Sequence, residues 1–156
     1  MGYQQKALDD VNTNRAKHSA PAMKMDASLN TVALQCAEFY AQKGKVDRTC
    51  PYHNSTTGEN LFGIKGKFSE DVITKLATTA WMAEAKNYDF LKPNFLSSST
   101  KQFTQLIWKE SDKMGFGVAQ KNGYATAVSA FSPAGNVAGK FLENVFSGSP
   151  KLSVKF

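Results

Sequence analysis

Two segments in which apolar residues alternate with small or polar ones constrain the fold of this chain most. They span Met114 to Gln120 and Tyr124 to Phe131, and Lys121-Asn122-Gly123 stands between them. Alternation with a period of two is typical of strands with one buried face, and Asn-Gly favours the tight turn of a β-hairpin. The sequence therefore predicts an antiparallel ribbon in the C-terminal half.

Apolar residues at helical spacing predict four helices beside this ribbon. Asp26 or Ser28 can cap the second helix and Ser69 the third, because short oxygen-bearing side chains accept hydrogen bonds from the first free N–H groups. Helices that cover a small antiparallel sheet make an α+β domain, and 156 residues are enough for one core. We expect a single domain over residues 1–146 and a weakly ordered tail over 147–156. The predicted helices are Gly2 to Lys17, a second that ends at Gly44, Ser69 to about Asn87, and Lys101 to Lys109.

The connection between the second and third helices, residues 45–67, is long and polar. It carries His53 six residues ahead of Glu59, with at most one short strand near Asn60 to Ile64. A loop of this length inside a compact domain is usually functional. Its glycines and lysines do not match the phosphate-cradling pattern, so we expect no nucleotide site. In the third helix, Glu84 falls on the apolar stripe, from which it either points inward or reaches solvent at the stripe's edge.

The charge of the chain limits the classes of partner that we expect it to bind. A formal net charge of +6 comes from 17 Lys and only 2 Arg, Arg15 and Arg48. Base-specific recognition of nucleic acid relies on bidentate arginines, which are scarce here. We therefore expect no nucleic-acid partner and rank an anionic membrane surface above it. The alternative is a lysine-rich exterior that only keeps the protein in solution.

Two cysteines are too few for a disulfide framework. Cys36 lies among apolar helical positions, which favours a buried, reduced thiol over a bridge to Cys50. A reduced thiol would indicate a reducing compartment. Asn54-Ser55-Thr56 is a glycosylation sequon, which matters only if the chain is secreted.

Four separated segments together resemble the signature motifs of the CAP superfamily of cysteine-rich secretory, antigen 5 and plant pathogenesis-related proteins. They are Asn12-Thr13-Asn14-Arg15, Gly58-Glu59-Asn60-Leu61, the stretch from Lys101 to Trp108, and the stretch from Phe131 to Val137. The pattern is most similar to the Golgi-associated plant pathogenesis-related branch. The resemblance implies a three-layer α-β-α sandwich with a small central antiparallel sheet. Where that family has a cysteine in the last strand, this chain has Ser129.

The resemblance also implies a cleft in which two histidines and two glutamates converge and hold a divalent metal. His53, Glu59 and Glu84 match three of these positions, but Gln102 stands where the second histidine is expected. An amide is a poor zinc ligand, so His53, Glu59 and Glu84 are expected to bind zinc weakly or not at all. The other histidine, His18, is a remote candidate to replace the missing one.

Three functions remain open at this point. The first is a non-catalytic module that binds anionic lipid or sterol at a membrane, peripheral on the cytoplasmic, Golgi-like side or, alternatively, secreted. The second is a protein-interaction scaffold or homodimer. The third is a hydrolase with Glu59 or Glu84 as general base and His53 as its partner; no Ser or Cys stands in a recognisable nucleophile motif.

The resemblance to the Golgi-associated branch also implies an N-terminal lipid anchor. Lys6 disfavours such an anchor here, because N-myristoylation prefers Ser or Thr at that position.

Overall fold

The computed structural model describes residues 2–92 and 98–148, and in that part of the chain it contains five α-helices and four strands. The predicted break around Pro93 lies mostly outside the described residues, as does the predicted weakly ordered tail from residue 149 onward. The helices are α1 Tyr3–Lys17, α2 Ala27–Lys43, α3 Glu70–Ala83, α4 Lys101–Leu106 and α5 Phe141–Asn144, and the strands are β1 Lys24–Met25, β2 Gly58–Lys65, β3 Lys113–Lys121 and β4 Tyr124–Ser132.

The four strands form one sheet in the order β1-β3-β4-β2. The β3–β4 hairpin confirms the predicted ribbon, and its turn residues Asn122 and Gly123 have φ of 51° and 75°. Both angles lie in the left-handed region that a two-residue hairpin turn requires, which explains the Asn-Gly pair. The predicted small central antiparallel sheet is formed by β2, β4 and β3, and β1 extends it by pairing parallel to β3. A strand of two residues leaves no periodicity in the sequence, so β1 was not predicted.

Helices cover both faces of the sheet, which confirms the three-layer sandwich. On one face, α2 packs through Ala33, Cys36 and Tyr40 against Leu61 and Val128 of the sheet. The glycines of β3 permit this close packing: a Cβ on Gly117 would lie 2.4 Å from the Cα of Leu34. The opposite face carries the larger core, to which α1, α3, α4 and α5 contribute Val11, Trp81, Phe103 and Phe141 among others.

Several element boundaries differ from the predictions. As expected, the Asp26 carboxylate caps α2 by accepting the Leu29 N–H, and Gly44 ends that helix at φ 82°. The Ser69 hydroxyl likewise accepts the Val72 N–H at the start of α3. However, α3 ends at Ala83, and a single 3-10 turn covers Glu84–Asn87. In addition, α4 ends at Leu106 rather than Lys109, β2 is longer than expected, and α5 was not predicted.

Cys36 and Cys50 form a disulfide bond, so the expectation of a reduced Cys36 is wrong. The two Cα atoms lie 5.5 Å apart, within the usual range for a bridge. Periodicity placed Cys36 correctly on the buried face of α2, but it cannot show that the following loop folds back and brings Cys50 to the same place. The bond removes the basis for inferring a reducing compartment.

No helix in the described ranges combines the length and apolar character needed to cross a bilayer.

Candidate functional site

The predicted cleft residues meet where β2, the 3-10 turn and the start of α4 come together. The backbone N–H groups of Gln102 and Phe103 both donate to Glu84 Oε1, at 3.0 Å each. The first N–H groups of a helix have no partner within the helix, so Glu84 caps α4 from a neighbouring element. The inward orientation of Glu84, one of the two predicted alternatives, is therefore the observed one.

Gln102 connects this cap to strand β2. Its side-chain Oε1 accepts the Leu61 N–H at 2.5 Å, and its backbone carbonyl accepts the Asn60 Nδ2 at 2.9 Å. Gln102 thus links the start of α4 to β2 by hydrogen bonds. Among the described residues, the Oδ1 of Asn60 is a buried side-chain oxygen without a hydrogen-bond partner.

Glu59 lies on β2 with its carboxylate turned toward α2. Its side chain is buried, and Oε2 accepts a hydrogen bond from the Tyr40 hydroxyl at 3.3 Å. The Tyr40 oxygen in turn accepts the Cys50 N–H at 3.1 Å, which connects the carboxylate to the disulfide-bonded loop. Burial and the neighbouring carboxylate raise the pKa of Tyr40 to about 12, so the phenol is neutral at pH 7 and acts as a donor.

The carboxyl groups of Glu59 and Glu84 both have a raised pKa, mainly because burial disfavours the charged form. For Glu59, positive charge on His53 and on Arg48 and the Tyr40 hydrogen bond oppose this rise. For Glu84, the N–H groups of Phe103 and Gln102, the Gln102 side chain and the Arg48 charge oppose it. Arg48 therefore acts electrostatically on both acids.

Arg48 is the site residue that sequence reasoning missed. Its Nη1 donates to the Glu59 carbonyl oxygen at 2.6 Å and lies 4.0 Å from Glu59 Oε1. Its Nη2 makes a longer contact of 3.4 Å with Gln102 Oε1. The only available signal was that Arg48, one of two arginines in the chain, lies two residues before Cys50 in the long polar loop.

The two histidines occupy different places. His53 is half-buried in the loop, its backbone N–H donates to the Cys50 carbonyl at 3.3 Å, and its charge acts on Glu59. His18 is buried elsewhere: its Nδ1 donates to the Phe146 carbonyl at 2.8 Å, and its ring stacks with Phe90. His18 is therefore engaged with the C-terminal segment and does not replace the missing histidine.

Glu59, Glu84 and Gln102 are brought together through Arg48 by hydrogen bonds and an ion pair, whereas His53 contributes only its charge, and the four side chains do not form a set of converging ligands. Glu84 binds Gln102 directly, Arg48 bridges Gln102 and Glu59, and His53 faces Glu59 electrostatically. Within residues 2–92 and 98–148, no group of three His, Cys, Asp or Glu side chains is arranged to hold a metal ion. One oxygen of each carboxylate already accepts hydrogen bonds from the chain, Glu84 Oε1 from two backbone N–H groups and Glu59 Oε2 from the Tyr40 hydroxyl.

A hollow of about 310 Å³ opens to solvent beside this network. Its cationic lining comes from Arg48 and Lys101, and Asp47 contributes a carboxylate. The Asp47 carboxylate lies 2.7 Å from Lys43 Nζ and 3.9 Å from Lys45 Nζ. The hollow is a small opening of mixed character, whose described apolar side chains are Val46 and Leu61.

The fold and these motifs define a CAP-type domain, and comparison with known proteins establishes it. The model of the cysteine-rich secretory protein family (CAP) matches residues 8–131, so the chain belongs to this family. It is 35% identical over 146 residues to the human Golgi-associated plant pathogenesis-related protein 1, covering 92% of both chains. It is 29% identical to protein PRY2 of Saccharomyces cerevisiae, where the match covers 88% of this chain but only 39% of the yeast protein.

Solved structures agree on the fold. NaASP2, crystallised with Zn²⁺, superposes with a TM-score of 0.69 at 21% identity, covering 93% of this chain and 85% of that one. Schistosoma mansoni venom allergen-like protein 4 superposes with a TM-score of 0.67 at 18% identity, over 96% and 97% of the two chains. At these identities the likeness shows the fold alone.

Proposed function

We propose that this CAP domain is a peripheral binding module for anionic membrane surfaces. The observation that carries the proposal is a cluster of three exposed lysines at the hairpin end of the sheet, Lys65, Lys67 and Lys121, called here the hairpin-end lysine patch. Lys65 and Lys121 are both in register with Tyr124, on either side of β4. Residues in register share a face of a sheet, and two strand spacings put these two positions about 10 Å apart.

The loop that carries Lys67 is held against the same end of the sheet. The Gly66 N–H donates to the Gly123 carbonyl at 2.6 Å. The side chain of Gln120 accepts the Phe68 N–H at 3.1 Å and donates to the Phe68 carbonyl at 2.9 Å. A shallow hollow of about 320 Å³ lies between Lys67 and Lys121, large enough for a phosphate-bearing headgroup.

Across the described ranges, the three lysines of the patch are uncompensated by any ion pair, as are Lys24, Lys109 and Lys113 at the other end of the sheet, and the patch is singled out because two of its unpaired lysines, Lys67 and Lys121, line one hollow. Lys6, Lys43, Lys75 and Lys140 each lie within 4.0 Å of an aspartate or glutamate oxygen. Within the described parts of the chain, no carboxylate forms such an ion pair with Lys65, Lys67 or Lys121. Their charge is thus free to act on an anionic leaflet, where each lysine contributes about 1 kcal/mol.

Co-sedimentation with vesicles that contain phosphatidylserine tests the proposal. The Lys65→Gln/Lys67→Gln/Lys121→Gln variant should lose about 3 kcal/mol of binding, which lowers the partition coefficient by roughly a hundredfold. The matched control is Lys24→Gln/Lys109→Gln/Lys113→Gln. It removes the same charge from the other end of the sheet, where Lys24 is in register with Lys113. Equal losses of vesicle binding in the two variants, or no binding by the parent, would contradict the proposal. Neutral vesicles with and without sterol test the alternative that the protein binds sterol.

The compartment is part of the proposal. Relatives of this chain include a protein named as Golgi-associated and one named as secreted. The Cys36–Cys50 disulfide favours an oxidising compartment, because the cytosol keeps such thiols reduced. We therefore favour the lumenal or secreted alternative over the cytoplasmic face, which requires a target membrane that exposes anionic lipid on that side. Alkylation of free thiols in intact cells before lysis would label both cysteines if the chain resides in the cytosol.

A further inference from the structure

The cleft contains a cation supplied by the chain itself. The Arg48 guanidinium contacts the carbonyl oxygen of Glu59 at 2.6 Å, its carboxylate at 4.0 Å and the side-chain oxygen of Gln102 at 3.4 Å. A guanidinium is permanently charged and presents five N–H donors in a fixed plane. It can therefore serve several oxygen acceptors at once, which is otherwise the task of a bound metal ion.

The remaining donor set does not fit a metal. Gln102 Oε1 is already an acceptor for the Leu61 N–H, and Glu84 Oε1 accepts two N–H groups. His53 supplies the one imidazole of the predicted set, and zinc sites in proteins favour nitrogen and sulfur ligands. In the described ranges no three candidate ligands converge. The related NaASP2 was crystallised with Zn²⁺, but the described residues of this chain offer that ion no converging set of ligands.

The backbone is shaped to place this arginine. Arg48 has φ 63°, in the left-handed region that residues other than glycine and asparagine rarely adopt. The conformation is held from both sides. Before it, the Asp47 carboxylate accepts hydrogen bonds from the Thr49 hydroxyl and forms an ion pair with Lys43. After it, Cys50 is bonded covalently to α2.

We propose that Arg48 is the resident cation of the cleft: its guanidinium lies beside the Glu59 carboxyl group, holds Gln102 against β2, and excludes divalent metal. Gln102 and Arg48 are then complementary, because the amide oxygen of Gln102 accepts a hydrogen bond from the guanidinium. An imidazole that binds a metal through one nitrogen has only an N–H donor left and cannot accept that hydrogen bond. Arg48 thereby compensates for the absence of a second histidine in the cleft. The cleft becomes a fixed structural network whose stability does not depend on a metal supply.

Zinc titration calorimetry on five proteins tests this: the parent, Gln102→His, and Gln102→His combined with Arg48→Met, Arg48→Lys or Lys45→Met. The parent and Gln102→His should give no binding heat, because Arg48 still fills the cleft. Arg48→Met/Gln102→His should bind zinc at least about tenfold more tightly than Gln102→His. Arg48→Lys/Gln102→His keeps a cation there and should not gain. Lys45→Met/Gln102→His removes one exposed loop charge from outside the network and should not gain either.

Three results would overturn the proposal: zinc binding by the parent or by Gln102→His alone, an equal gain with Arg48→Lys, or no gain with Arg48→Met in a folded protein. Circular dichroism melting establishes that each variant is folded. If the Arg48→Met/Gln102→His variant does not fold, the Gln102→His protein still tests the proposal. It retains Arg48 and is expected to bind no zinc. Vesicle binding through the hairpin-end lysine patch should be unchanged in every variant, which separates this proposal from the membrane function.

Discussion

At the scale of single residues, the buried carboxyl groups of the cleft make stability depend on pH. The pKa of Glu59 is raised above its ordinary 4.5 in the folded protein, so between pH 4.5 and the folded-state pKa the folded state binds more protons than the unfolded chain does. The stability linked to this proton binding is fully present below pH 4.5 and is lost as the pH rises through the folded-state pKa. Glu84 acts in the same direction.

Glu59→Gln should therefore flatten the decline in stability above about pH 4.5. Urea unfolding at about pH 4 and about pH 7 measures this, and the variant should gain stability relative to the parent at the higher pH. Glu110→Gln is the control, because Glu110 is exposed and its side chain makes no ion pair in the described structure. A parent whose stability difference from Glu59→Gln is the same at both pH values would show that Glu59 is ionised in the fold at an ordinary pKa.

The family resemblance supplied the candidate cleft residues but not the contacts that they make. Periodicity left Glu84 either inward or at the edge of the apolar stripe, the family resemblance implied the inward position, and its carboxylate does point inward against α4. Arg15 is the opposite case. Its helical spacing is that of a core residue and its side chain is fully buried, but its charged group binds several backbone carbonyl oxygens. Its guanidinium donates to the carbonyls of Leu106, Trp108 and Ser111 at 2.9 Å each. Those carbonyls are more than 90 positions away in sequence, so no local pattern could reveal them.

At the scale of elements, the Cys36–Cys50 bond fixes the loop that carries Arg48 and His53 onto α2. The bond closes a segment with a sequence separation of 14. Cross-linking a loop of about 15 residues lowers the entropy of the unfolded chain and stabilises the fold by about 3 kcal/mol. Among the described contacts, the Tyr40 hydroxyl adds a second connection through the Cys50 N–H.

A phosphine reductant should therefore lower the free energy of unfolding of the parent by about 3 kcal/mol in urea titrations. The Cys36→Ala/Cys50→Ala variant should start at the lower value and should not respond to reductant. A thiol assay on the unfolded parent establishes that reduction is complete. Unchanged unfolding of the fully reduced parent would mean that the loop is held by its other contacts alone.

Elements with a local code were predictable and those that depend on tertiary contacts were not. Asn122-Gly123 encodes the hairpin, and Asp26 and Ser69 encode two helix starts. In contrast, β1 exists because Lys24–Met25 meets β3, and the loop folds back because two distant cysteines join. The glycines of β3 look like ordinary small strand residues until α2 is seen lying against them. Each failure concerns a partner that is distant in sequence.

At the scale of the whole molecule, two levels of charge are expected to act on a membrane. In the proposed function, the formal net charge of +6 attracts the protein to an anionic membrane from a distance, and the hairpin-end lysine patch determines which side docks. Every lysine in the described ranges is exposed except the half-buried Lys101, so the long-range attraction has no single direction. In the proposed function, the hairpin-end lysine patch supplies the preferred orientation, because two of its unpaired lysines line one hollow.

Ionic strength separates this electrostatic docking from insertion of apolar groups. The screening length is about 30 Å at 0.01 M salt and about 3 Å at 1 M. Binding to phosphatidylserine vesicles should therefore be strong at the lower concentration and absent at the higher one. The patch variant should differ most from its charge-matched control at intermediate salt, where only close contacts remain unscreened. Binding that is indifferent to salt, or that requires sterol in neutral vesicles, would show that the protein engages lipid through an apolar contact and that its lysines serve only to keep it in solution.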